Sequence, residues 1–344
     1  MTTLFMGNDA SCFSRAGNVG PDMQLTTSDG LISPCYDSTR VRGAIYCQGS
    51  NNEPASIYAD LTTPVSEGWI HWEMNNYTNS SNLYEMVVLM SAANANAKQI
   101  RLFTSNAANN TWIMQYSSNG GSSWTNISAT TLAYGSSTLR RFDINFKFHA
   151  TSGFLKIYMN DALVWTYTGA LVTQNNICDR VFFGGVNGTC YYSQILVTDA
   201  SDSTVGSHVH TIFPNASGAV SEWSGTYADV DDAQPNLTDM IATNVVDNRI
   251  LFAYSDINST TFLNWDVVAV AHVLDGTIMS DATVNDMKAA FRHSDGTEYY
   301  TAALGFTKDN TRQRKTTLWH SNPVTGLAWS LADVNNGQFG ARAA

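Results

Sequence analysis

Residues 142–149 read Phe142-Asp143-Ile144-Asn145-Phe146-Lys147-Phe148-His149, apolar and polar in strict alternation. Side chains along a strand point to opposite faces with period two, so a strand is predicted here with one face buried and the other wet. Thr151-Ser152-Gly153 supplies a turn, and Phe154-Leu155-Lys156-Ile157-Tyr158-Met159 is the returning strand. Asn160-Asp161 turns the chain again into Ala162-Leu163-Val164-Trp165-Thr166-Tyr167. Val181-Phe182-Phe183-Gly184 and residues 191–197 follow, with no helical period among them. Strands in such quick succession predict an antiparallel meander, the raw material of sandwiches and jelly rolls.

Through Gly153, Leu155, Ile157, Tyr158, Asn160, Asp161 and Val164, and later Ile195, Leu196, Val197 and Asp199, this stretch resembles the closing half of concanavalin A-like lectin or laminin G-like sandwiches. The resemblance implies a fold and leaves the function open, because glycine amid alternating apolar residues recurs in many β proteins.

Upstream, strands are predicted at 41–47, 56–61, 68–74, 84–90, 99–104 and 111–116, with Asn-, Ser- and Gly-rich turns between them. Residues 1–35 read as an irregular lead-in. Downstream, 201–206 forms a joint. The expected fold is therefore all-β: two β-sandwich, jelly-roll-like domains in tandem, 1–203 (concanavalin A-like) and 204–344. In the second domain, alternation through Val209, Thr211 and Phe213 predicts a strand, and 214–225 a polar loop. Further strands are predicted at 249–254, 267–274, 289–293, 299–306 and 316–319. Residues 287–292 also suit a helix by propensity, but the hairpin-type turn Ser294-Asp295-Gly296-Thr297 behind them favours a strand.

A chain of 344 residues suits two domains. Hydrophobic content of 44% is enough for real cores, while 14% charged residues is well below the roughly 25% of ordinary soluble chains. A net charge of −11, with Arg312-Gln313-Arg314-Lys315 the one basic run, argues against a nucleic-acid partner. No apolar run approaches the roughly 18 residues of a membrane span, and the opening residues lack a secretion-signal pattern. Cys12, Cys35, Cys47, Cys178 and Cys190 are odd in number and form no Cys-x-x-Cys pair, which predicts reduced, inert thiols in a cytoplasmically folded chain. The sequons at Asn76-Tyr77-Thr78 and Asn187-Gly188-Thr189 would then carry no glycan.

Glucanases of the concanavalin-like fold set glutamates at alternate positions of one strand. Here Glu67, Glu73 and Glu85 are each isolated on different segments, so no catalytic residue is assigned and the protein is read as non-enzymatic. No Gly-rich phosphate loop or Gly-x-Ser-x-Gly elbow is present. Ser117-Ser118-Asn119-Gly120-Gly121-Ser122-Ser123-Trp124 resembles the sialidase Asp box, which implies a structural hairpin with Trp124 packed inward. His208 and His210, two apart on one strand face, are either surface or interface residues or half of a metal site. Asp229, Asp231 and Asp232 form either a solvated acidic turn or a calcium-binding one. With no third histidine-site ligand and no EF-hand spacing, neither metal nor cofactor is assigned. Sugar recognition pairs exposed aromatics with Asn or Asp. Tyr77 with Asn79, and Trp112 with Asn110, are the candidate glycan-binding residues, against the alternative that aromatics near strand ends are core.

The tail reads Asn322-Pro323-Val324-Thr325-Gly326-Leu327-Ala328-Trp329-Ser330-Leu331-Ala332-Asp333-Val334, then Gln338-Phe339-Gly340-Ala341. Asn-Pro starts a turn that Gly326 closes, Trp329 is predicted to be buried, Ser330 to cap a helical turn, and 339–341 to be a final strand. This string, with Trp223, Asp229, Val230, Asp231, Asp232, Pro235 and Asp239 before it, resembles a group of tailed-bacteriophage virion proteins. The resemblance implies a structural protein on the virion exterior, assembled in the host bacterial cytoplasm. The first expectation is the tail or adsorption apparatus, with glycan or host-surface binding. The alternatives are a head decoration protein on the capsid and a free carbohydrate-binding or glycan-cleaving protein. Implied partners are other virion proteins of tail or capsid, a host-surface glycan, and further copies of the chain as a homo-oligomer, a trimer by class. No nucleic acid and no membrane insertion is expected.

Overall fold

The computed structural model describes residues 2–7, 14–15, 45–48, 55–76, 85–104, 111–127, 132–133, 140–185, 189–231, 239–257 and 265–344. The chain divides into two units, Met1–Thr211 and Ile212–Ala344.

The strands of the first unit, in chain order, are β1 (Thr3–Gly7), β2 (Ser14–Arg15), β3 (Ile45–Gln48), β4 (Ala55–Val65), β5 (Glu67–Asn76), β6 (Glu85–Ser91), β7 (Ala97–Thr104) and β8 (Thr111–Tyr116). They continue as β9 (Thr125–Asn126), β10 (Leu132–Ala133), β11 (Arg140–Lys147), β12 (His149–Met159), β13 (Ala162–Leu171), β14 (Cys178–Gly185) and β15 (Thr189–Asp199). They build two antiparallel sheets. One runs β1-β15-β5-β11-β12-β13 with β3 also on β15, and the other β10-β8-β7-β6-β14-β4-β2 with β9 on β8. Residues 1–35 are thus not wholly irregular, because β1 forms an edge of the first sheet against β15.

Alternation sends one side of each strand into the space between the sheets. Ile70, Trp72 and Met74 of β5, Phe142, Ile144 and Phe146 of β11, and Leu155 and Ile157 of β12 meet Val87, Leu89, Ile100, Leu102, Trp112, Met114, Val181 and Phe183 of the other sheet. Trp72 stacks on Phe142 at 5.3 Å between centroids, and Trp112 lies 4.8 Å from the same ring. Cys47 and Cys178 are buried in this core. Burial pushes the Cys178 thiol up to about 12, which keeps it protonated and unreactive.

The second unit contains β16 (Pro214–Ser221), β17 (Arg249–Tyr254), β18 (Val270–Thr277), β19 (Met287–Arg292), β20 (Glu298–Tyr300), β21 (Arg312–Trp319), the helix α1 (Leu331–Asn336) and β22 (Gln338–Ala343). Five strands form the sheet β16-β17-β22-β19-β20, and β18 pairs with β21 as a ribbon. Phe291, Phe339, Trp319, Trp329 and Val334 form the core between ribbon, helix and sheet. The strand predicted over 209–213 does not form, and the predicted loop at 214 starts β16. Pro214 has no N–H to give, which an edge strand tolerates at its first residue, and among the described residues β16 pairs only with β17. The strand predicted to reach residue 306 stops at Tyr300, because Gly305 and Phe306 donate their N–H groups to the Asp286 carboxylate instead.

The C-terminal string is spent on this fold. Gly326, at φ 72, donates to the Asn322 carbonyl at 2.8 Å, and the Asn322 side chain accepts from Val324 N at 3.0 Å. Trp329 donates its indole N–H to the Trp319 carbonyl at 3.0 Å. Ser330 and Asp333 cap α1 reciprocally. A Cβ on Gly340 would run into the Ile250 carbonyl oxygen of the neighbouring strand.

Phe142→Ala should lower first-unit stability by about 3–5 kcal/mol in denaturant unfolding, because it empties a site shared by two tryptophans. His272 is buried 5.5 Å from the Trp319 ring and 5.8 Å from Phe339, and burial pushes its pKa down from 6.5 to about 4. The unfolded chain therefore binds the extra proton first as pH drops. Second-unit stability should be full above about pH 6.5 and fall by roughly 3 kcal/mol towards pH 4. His272→Phe should flatten that dependence in urea titrations across the same range.

Candidate functional site

The strands β5, β11 and β15 at the centre of the first sheet carry a polar row on the side facing away from the core. Register places His71 between Asp143 and Leu196, Trp69 between Asn145 and Thr198, and Glu73 between Arg141 and Ser193. The alternation predicted this face to be wet. Lys147 is indeed half-exposed, but His71 and Asp143 are fully enclosed and Asn145 is nearly so. The cover is the segment 204–209, which the sequence places across the joint and the opening of the second domain and which lies on the first sheet.

Thr204 Oγ1 donates to Asp143 Oδ1 at 2.7 Å, and the same carboxylate oxygen accepts from His71 Nδ1 at 2.9 Å. Ser207 N donates to the Thr204 carbonyl at 2.8 Å across a turn that needs Gly206 at φ 80. Val209 N and His208 Nδ1 both donate to Gln194 Oε1, at 3.1 and 3.2 Å. Gln194 stands in the irregularity of β15 between Ser193 and Leu196, at φ 52. His208 Nε2 accepts from the Arg141 guanidinium at 3.1 Å, so the ring is held as the neutral Nδ1–H tautomer. His208 is thus engaged by Gln194 and Arg141. Among the described residues no group of three His, Cys, Asp or Glu side chains could hold a metal ion.

Chemically the row resembles an oriented base, with a carboxylate fixing one nitrogen of an imidazole. A nucleophile would have to meet the other nitrogen. Thr204 directs its proton to Asp143 instead, and His71 Nε2 has no hydrogen-bond partner among the described residues. The arrangement fastens the segment 204–209 to the sheet.

Beyond this segment the same face is open across β12 and β13. Phe154, Lys156 and Tyr158 are half-exposed, with Thr166 and Thr168 exposed beside them. Trp69 and Tyr158 lie 5.6 Å apart at a 39° tilt, and Lys156 Nζ sits 5.0 Å above the Phe154 ring. Aromatic faces flanked by hydroxyl and ammonium groups offer chemistry that suits a sugar. Sequence reasoning missed this patch because each residue, taken alone, belongs to an ordinary alternating strand.

The predicted glycan residues fall elsewhere. Trp112 is fully enclosed between Trp72 and Phe142 and offers no face to a ligand. It occupies an inward position of β8, where period two dictates core. Tyr77, Asn79 and Asn110 lie outside the described residues. Glu67 and Glu73 share β5, contrary to their assignment to different segments; Glu67 pairs with Lys147 at 2.7 Å and Glu73 is buried. The Asp-box-like stretch is a side-chain-stapled turn, with Asn119 Oδ1 accepting from Ser117 Oγ at 2.9 Å and Ser123 N at 2.8 Å. Trp124 does not pack inward. The Arg101 guanidinium lies over it at 4.0 Å and over Phe103 at 4.4 Å, on the outer face of the second sheet. Asp229 accepts from Thr226 and caps a short 3₁₀ turn at Tyr227–Asp229, while Asp232 lies outside the described residues.

No family model matches the chain, and no curated protein matches it. Among solved structures, a cellulose-induced protein, Cip1, is 10% identical over 54% of this chain and 90% of its own, at a TM-score of 0.40. A Bacillus licheniformis β-glucanase is 11% identical over 58% and 99%, at 0.37. A carbohydrate binding module from Bacillus subtilis is 10% identical over 44% and 90%, at 0.31. None of these scores is high enough to carry fold or function across.

Thr204→Val should cost about 1–2 kcal/mol, because it removes one donor from a buried carboxylate. Limited proteolysis should then cut first within 200–210, with far-ultraviolet circular dichroism unchanged.

Proposed function

We propose that the chain is a non-enzymatic structural protein on the exterior of a tailed-phage virion, in the tail or adsorption apparatus, and that its first unit contacts host-surface glycan. The observation that carries the placement is the C-terminal string from Asn322 to Ala341, with the preceding Trp223-to-Asp239 segment, whose resemblance is to virion proteins. The glycan contact is assigned to the patch of half-exposed Tyr158, Lys156 and Phe154, with buried Trp69 packed behind Tyr158 and exposed Thr166 and Thr168 beside it. A single patch of this size binds weakly. Copies held at fixed spacing on a particle, beside other tail proteins, turn weak contacts into avidity.

Immunogold labelling of purified particles with an antibody to this chain should place gold on tail tips. Gold over the head would replace the tail reading with capsid decoration, and particles without gold would remove the virion assignment altogether. On glycan arrays the intact chain should bind at least one surface glycan, and Tyr158→Ala should weaken that binding about tenfold. Release of reducing ends from a bound glycan would overturn the non-enzymatic reading.

A further inference from the structure

The first sheet ends at β13, whose outer edge has no strand against it among the described residues. An open edge presents a row of backbone donors and acceptors, and soluble proteins usually blunt such edges by shortness, proline or charge. Several other described sheet ends show those devices: β20 is 3 residues long and β16 begins at Pro214, while β1, at the opposite end of the first sheet, is 5 residues long. The ribbon strands β18 and β21 carry Asp275 clamped by Arg312 and Arg314.

The β13 edge is different. It is 10 residues long, reads Ala162-Leu163-Val164-Trp165-Thr166-Tyr167-Thr168-Gly169-Ala170-Leu171, and contains neither proline nor a charged residue. Leu163 is 52% exposed and Val164 37%, on a strand otherwise rich in β-formers. Trp165 and Tyr167 point towards the core but are only partly buried, so the hydrophobic layer is left open along this rim. Pairing with β12 is in continuous register from Trp165 to Gly169 and irregular on both sides of that run, beyond Trp165, where Val164 is the extra residue, and between Gly169 and Leu171.

We propose that β13 pairs antiparallel with β13 of a second copy of this chain, joining the two first sheets across a two-fold axis. The occupant follows from electrostatics and pattern. Each copy carries a net charge of −11, which opposes most contacts between copies, yet this strand brings no charge to the axis. Period two makes the strand self-complementary about any residue of the regular run. Threonines meet on the outer face, and Trp165 and Tyr167 of one copy stand beside the partner subunit's Trp165 and Tyr167 on the inner one. The pairing satisfies the edge and closes the rim together. It is independent of the virion reading and gives a two-fold assembly where the family class implied a trimer.

Light scattering on the full chain should give twice the monomer mass. Thr166→Lys with Thr168→Lys places like charges opposite one another across the axis and should weaken self-association at least about tenfold. The same charge added at exposed Thr62 and Thr63 should leave it unchanged. Thr166→Cys should oxidise to a covalent dimer that the parent chain does not form. A monomer at all concentrations, a trimer, or a dimer indifferent to the lysine pair and not trapped by the cysteine would each overturn the assignment.

Discussion

A strand at the centre of a sheet has two faces, and β5 and β11 bury both. One side carries Trp72 and Phe142 into the core, and the other carries His71 and Asp143 beneath the segment 204–209. A slip of one residue in either strand would send tryptophan into the polar row and a carboxylate into the aromatic core, so both faces fix the same register. Everything else in the first unit is placed from that register. β12 and β15 take their positions from β11 and β5, and Gln194 reaches His208 and Val209 only because β15 kinks after Ser193.

The polar row is costly to bury and is offset by donors directed at it. Asp143 accepts from His71 and Thr204, and Gln194 from Val209 and His208. Such a network contributes less to net stability than an apolar replacement of equal volume could. What it supplies is specificity, because only one placement of the segment 204–209 satisfies it. The chain therefore leaves its first unit along a defined path over β5, β11 and β15.

Much of this fold was legible in the sequence, because period-two alternation is a local signal that both sheets obey. The strand from Met287 to Arg292 followed from the turn behind it, and the Ser330–Asp333 cap from capping-box spacing. The illegible part has a common cause. Alternation says that Asp143 and Asn145 face away from the core, but not whether distant chain returns to cover them, and the covering segment lies 61 residues beyond Asp143. Trp112 failed as a glycan residue for the converse reason: its asparagine-rich flank concealed its inward position on β8. The Tyr158 patch is assembled from β5 and β12, which are not sequence neighbours, so no local window contains it.

The C-terminal string shows what a resemblance can and cannot supply. Asn322 holds a turn, Trp329 ties down the β21 carbonyl, Ser330 and Asp333 cap a helix, and Gly340 lets β22 approach β17. Each of these residues makes its described contacts inside the second unit. Sharing the string therefore includes sharing a way of folding this unit, and the proposed selectivity for a surface is assigned to side chains that folding leaves unspent. On the first unit these are the rings and hydroxyls of β12 and β13, where a change of residue alters what is touched without disturbing the registers of β5 and β11.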